Sequence, residues 1–239
     1  MRTKAAVAAL TLLTGAVTVG CADADGTAGT RTAGTRSAEQ LLDEANRTMK
    51  ALTSVTIATD TETGLGNGRS SRLRTDLKSR CTYTSTETTG SELEQIRIGE
   101  TDYIHGNEVY LEIWGRETVP AMRQKPWLKS PVSSAKGADS LADCAWPYSS
   151  YAKATKGEPT EIDGKPVIPV ETPNEDFGDG TDTYYIAAEG KPYLLKVVYV
   201  GSHHRVTTEF SGFNEPLSIR PPAAADVLDL SSLPRDGSD

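Results

Sequence analysis

Nothing in this chain is long and apolar enough to cross a bilayer as a helix. The longest apolar or small run, Ala5 to Val19, covers about fifteen residues, whereas a spanning helix needs roughly 20. Histidine and cysteine occur only three times each, and neither Cys81 nor Cys144 sits in a Cys-x-x-Cys or Cys/His cluster that would hold a metal. Positive charge is also short. The 25 Lys and Arg against 33 Asp and Glu give a net charge of −8, which disfavours nucleic acid, since nucleic acid selects basic patches. Gly-x-Ser-x-Gly, a Walker loop, His-Glu-x-x-His and GxGxxG are all missing. The expectation is a protein with no catalytic residue, no metal site and no cofactor.

Lesser candidates for chemistry have blander readings. GLGNGR (64–69) is glycine-rich but misses the dinucleotide spacing and lies between strands, so it reads as a hairpin turn. His203 and His204 are adjacent and would point to opposite faces of a strand. His105 has no recognisable nucleophile beside it. Asp176, Asp179 and Asp182 fall in NEDFGDGTD (174–182), but their spacing is not that of an EF-hand, and a solvated turn is the plainer reading.

What is present begins with the leader. Arg2 and Lys4 precede the apolar run, and small residues end it, which is the pattern of a secretory signal peptide over 1–20. Two cleavage sites compete. Thr18-Val19-Gly20-Cys21 resembles a bacterial lipobox, with Thr18 where Leu is usual; Ala22-Asp23-Ala24 is an A-x-A site. Cleavage before Cys21 would leave a lipid-attachment cysteine carrying two or three acyl chains of the palmitate class, enough for a firm membrane anchor where one chain is marginal. The following residues favour that reading. TAGTR occurs twice in tandem, at 27–31 and 32–36, and such a composition cannot bury enough apolar surface to fold. As a flexible coil, residues 22–36 would span about 20 Å. The expected organisation is therefore a signal peptide (1–20), a lipidated Cys21 with its tether (21–36), a domain (37–232) and a disordered tail (233–239). The protein would sit on the outer, extracytoplasmic face of the cell membrane, with membrane lipid as its first partner.

Export also bears on the two remaining cysteines. An exported chain with Cys81 and Cys144 left over invites one disulfide, worth about 4 kcal/mol in the chain-entropy model. The alternative is two separate thiols.

Ser37 followed by Gln40 makes a capping box, and Leu41, Leu42, Ala45, Met49 and Leu52 then recur at helical spacing. The spacing predicts a helix over 38–52. After that the period drops to 2. Strands are expected at 55–63, 72–86, 93–99, 101–106, 108–114, 159–171 (turning at Asp163-Gly164), 181–188, 193–200 and 204–213, as an antiparallel meander. Gly106-Asn107 is a candidate two-residue turn. Clustered Arg and Lys in RSSRLRTDLKSR (69–80) read as the solvated face of a strand. SLADCAW (140–146) reads as a short helix carrying Cys144. PAAADVLDL reads as a short helix or an edge strand. Tyr184, Tyr185, Tyr193 and Tyr199 lie on predicted strands, where they either line a cavity or pack ordinarily with hydroxyls at the rim.

Taken together, AEQLLDEANRTMKALTSVTI, IRIGETDYIHGNEVYLEIWG with the later KPWLK, YYIAAEGKPYLLKVVYVG and FSGFNEPLSIRPPAAADVLDL resemble the LolA-like fold, and more narrowly the LppX/LprA/LprF/LprG type of actinobacterial lipoprotein. The resemblance covers roughly 37–232. It implies an α+β fold: a curved antiparallel half-barrel wrapped around an N-terminal helix and a short helical plug, with an apolar cavity between. It also implies a non-enzymatic lipoprotein that binds or transfers lipid, glycolipid or acyl chains. Leu41, Leu42, Met49, Leu52, Tyr185 and Tyr199 are the cavity candidates. The competing function is an envelope sensor or interaction module that uses the same sheet to bind a membrane protein without lipid.

Overall fold

A computed structural model describes residues 36–113, 120–134, 140–146, 153–174 and 180–232. Expectations for the signal peptide, Cys21, the tether through residue 35, Asp176, Asp179 and the tail fall outside the described residues; Arg36, the tether's expected last residue, is paired with Glu44 of the helix that follows.

Ser37 opens α1 (Ala38–Lys50), and the expected capping box is present in both directions: the Ser37 side chain accepts from the Gln40 N–H, and the Gln40 side chain accepts from the Ser37 N–H. Arg47 and Lys50 in the last turn complement the helix dipole. Leu41, Leu42 and Met49 are at most 2% exposed, and each such burial stabilises the fold by about 1.5–3 kcal/mol. The helix packs on strands β9 (Lys165–Asn174), β10 (Gly180–Ala187) and β11 (Leu194–Val200).

Two antiparallel meanders form the sheet. The first runs β1 (Val55–Thr63), β2 (Gly68–Thr75), β3 (Arg80–Glu87), β4 (Glu92–Ile98), β5 (Thr101–Gly106) and β6 (Trp127–Pro131). The second runs β9, β10, β11 and β12 (His204–Ser211). They join where β1 pairs antiparallel with β12, from Thr56 opposite Ser211 to Thr63 opposite His204. The short strands β7 (Thr155–Lys156) and β8 (Thr160–Ile162) pair with β9, and β13 (Val227–Asp229) runs parallel to β6. The result is one open 13-stranded sheet with β13 at one edge and β7 at the other. Asp163 and Gly164 both have positive φ, 50° and 70°, the geometry a two-residue hairpin turn requires.

Four expectations change. First, the continuous strand over 72–86 is two strands. Asp76 Oδ1 accepts from the backbone N–H groups of Lys78, Ser79 and Arg80, so an aspartate closes a turn that no glycine marks. Second, EVYLEIW is not a strand: Glu108–Ile113 is a short helix, α2. Asn107, expected in a hairpin turn, initiates it by accepting from Tyr110 N–H while also accepting from Glu92 N–H on β4. Third, residues 140–146 contain no helix. Fourth, the C-terminal segment holds both elements offered for it, a 3-10 turn at Ala224–Asp226 and then edge strand β13.

Candidate functional site

Ladder registers define the two faces of the sheet. Ile57, Leu73, Tyr83, Gln95, Ile104, Leu128 and Leu228 are cross-strand neighbours in one row, and all are buried. This inner row lies on the side where the core gathers. A neighbouring inner row, Val55, Thr75, Cys81, Arg97, Asp102 and Ser130, is largely polar yet equally buried.

A strap, residues 140–146, answers those polar side chains. Gln95 pins Ala142 by both backbone groups: its Oε1 accepts from Ala142 N–H at 2.8 Å, and its Nε2 donates to Ala142 O at 3.3 Å. The Thr75 hydroxyl donates to Cys144 O, and Arg69 Nη2 donates to Ser140 O. Arg97 grips Asp102 bidentately at 2.7 and 2.9 Å and lies 3.7 Å from Asp143 of the strap. Hydrogen bonding to Asp102 raises the Arg97 pKa further above its ordinary value. Cys81 and Cys144 form a disulfide with Cα atoms 5.4 Å apart. Trp146 then meets Phe210 of β12 edge-on, with ring centroids at 5.6 Å. Among the described residues the inner face is therefore covered by α1 over β9–β11, by α2, whose Tyr110 ring fills the space beside Gly106 of β5, and by a strap over β2–β5 that side chains and one covalent bond hold.

The named cavity candidates separate. Leu41, Leu42 and Met49 are packed against the sheet. Leu52, 8% exposed, lines a groove of about 380 Å³ with Arg47, Thr48, Ala51, Lys191, Tyr193 and Asn214. Tyr199 is on the inner face and seated over two glycines; a Cβ at Gly180 or Gly201 would come within 2.2 or 2.3 Å of it. Tyr185 pairs across the ladder with Lys196 and points to the opposite face, half-buried. Tyr184, its neighbour, is the one in the core.

Asp182 is the other buried acid of the inner face. Burial pushes its carboxyl pKa up, against hydrogen bonds from Asn174 and Tyr184. Among the described residues no group of three or more His, Cys, Asp or Glu could hold a metal ion, and no helix is long and apolar enough to cross a membrane.

The pins Thr75, Gln95, Arg97 and Asp102 were not legible as site residues. The only signal is parity: in LEQIRI, Leu93 shares its face with Gln95 and Arg97, while Ile96 and Ile98 take the other.

An open sheet, antiparallel but for its edge strand β13, with an N-terminal helix on its inner face is the class of fold that the described residues define. No protein-family model and no curated protein matches the chain. Among solved structures it is similar to the lipoprotein LppX of Mycobacterium tuberculosis, at 16% identity over 77% of this chain and 98% of that one, TM-score 0.49. It is similar to LprF of Mycobacterium bovis at 15% identity over 78% and 97%, TM-score 0.49. A LolA superfamily protein of Nitrosomonas europaea is similar at 10% identity over 79% and 96%, TM-score 0.32. Identities this low transfer neither a ligand nor an activity.

Proposed function

We propose that this chain is an exported, membrane-anchored, non-enzymatic protein that binds or transfers lipid or acyl chains. The observation that carries the reading is the way the inner face is covered. The inner row from Ile57 to Leu228, apolar but for Gln95, lies on β1–β6 and β13, with an irregular strap and the short helix α2 packed on that side, while α1 sits over β9–β11. The strap carries no backbone ladder of its own, so acyl chains could enter beside it without breaking helix or strand hydrogen bonds while the Cys81–Cys144 bond keeps it attached. Acyl chains admitted there would gain roughly 0.8 kcal/mol per buried CH₂. The leader, Cys21 and the tandem TAGTR tether support placement at a membrane, where such ligands reside.

Native mass spectrometry of the protein exported by an actinobacterial host tests this. Lipid-mass adducts that vanish on denaturation are the expected result. A bare polypeptide mass in both conditions would sink the carrier reading.

One observation favours a second reading, an interaction module for a membrane protein. Leu65, at the tip of the β1–β2 hairpin, is 90% exposed, an unusual place for a large apolar side chain between glycines. Under that reading the protein purifies empty, and a photo-cross-linker at position 65 captures one discrete membrane protein.

A further inference from the structure

The groove at the C-terminal end of α1 has a distinct chemistry. Its floor is apolar, from Ala51, Leu52 and the Tyr193 ring, and Tyr193 is fixed by stacking on Phe213 with centroids 4.3 Å apart. Its rim carries two cations from separate elements, Arg47 of α1 and Lys191 of the β10–β11 turn, with Thr48 and Asn214 as neutral polar groups. The described lining contains no carboxylate. Arg47 Nε donates to the backbone carbonyl of Asp43, a neutral acceptor that uses one of its donors. The helix C-terminus opposes an anion with roughly half a negative charge. Two unit positive charges outweigh it. At about 380 Å³ the groove falls within the roughly 300–1,000 Å³ range of small-molecule sites.

We propose that this groove binds the head and first carbons of an anionic amphiphile, one carrying a carboxylate or phosphate on an acyl or alkyl chain, with the anion between Arg47 and Lys191 and the chain over Leu52 and Tyr193. This rests on the lipid reading above and narrows it from lipids in general to anionic ones. Leu41, Leu42 and Met49 are closed off in the core, so α1 contributes its end, not its face, to the ligand.

Calorimetric titration of the full chain with decanoate, decyl phosphate and decanol tests the proposal. Arg47 and Lys191 are both exposed, so K191E and the R47E/K191E pair should keep the fold, checked by circular dichroism. The expected result is that wild type prefers the two anions over decanol by at least tenfold and that R47E/K191E abolishes the preference, with decanol binding within twofold of wild type. K191E alone should lose part of it. Equal binding of all three ligands, or an anion preference that survives R47E/K191E, overturns the groove; lipid adducts in native mass spectra would then still sustain the carrier reading. Loss of the preference in R72E/K165E instead would place the anion in the outer-face groove beside Ala58 and overturn the proposal likewise. Failure of all three to bind, with no lipid adducts, overturns both readings.

Discussion

Asp102 is fully buried, and its charge is answered by a guanidinium that is itself largely buried. The two carboxylate oxygens accept three hydrogen bonds, two from Arg97 and one from Gln95. Removing only the acid leaves Arg97 charged and without its bidentate partner. D102A should therefore cost about 3–5 kcal/mol, read as a lowered urea midpoint, whereas R97M/D102L should be near neutral. Two other carboxyls move with pH in opposite senses. Asp229 is held down to about 2, chiefly by the hydrogen bond from Lys129. A depressed acid contributes stability that is present above its unfolded pKa, near 3.9, and is lost as pH falls through the folded value. A carboxyl-carbon NMR titration should give a midpoint near 2 in wild type, moving up toward the ordinary value in K129M. Asp182 is raised by burial, so its ionised form weakens the fold as pH climbs past its unfolded pKa. D182N should raise the melting temperature at pH 7 and leave it unchanged well below pH 4; a loss at pH 7 would mean that the charge is needed.

Elements were legible where one local signal decided them. The Ser37–Gln40 box opens α1, and Asp163-Gly164 turns β8 into β9, because both devices act within a few residues. The segments that were misread depend on distant partners. EVYLEIW carries β-formers at alternating positions, yet Asn107 turns it into a helix by tying its first turn to β4 and by donating Nδ2 to Gly90 O. N107A should cost about 1–2 kcal/mol by urea denaturation, at the upper end for a cap because it also unties β4. SLADCAW looks helical, but its backbone groups are claimed one by one by Arg69, Gln95 and Thr75. Sequence cannot show that claim, since the pins lie 47 to 71 residues away. Closing Cys81 to Cys144 spans a sequence separation of 63. Replacing both by serine should lower stability by about 4 kcal/mol, measured against the oxidised wild type in the same denaturant. A loss well under 2 kcal/mol would mean that the polar pins hold the strap unaided.

At the scale of the whole molecule, the two meanders meet through β1 and β12, whose paired residues are up to 155 positions apart, as with Thr56 and Ser211. The last strand, β13, then crosses to the far edge beside β6. This arrangement has a kinetic consequence. As the chain emerges from its N-terminus, the first meander forms with the β1 edge bare, and its partner has yet to follow. Until β12 follows, the middle of the sheet cannot close, and until β13 follows, its far margin cannot. Topologies dominated by such remote pairings fold in milliseconds to seconds, during which an open strand edge invites pairing with another chain. Under the proposed membrane anchoring, molecules held singly would keep those edges apart while the second meander arrives.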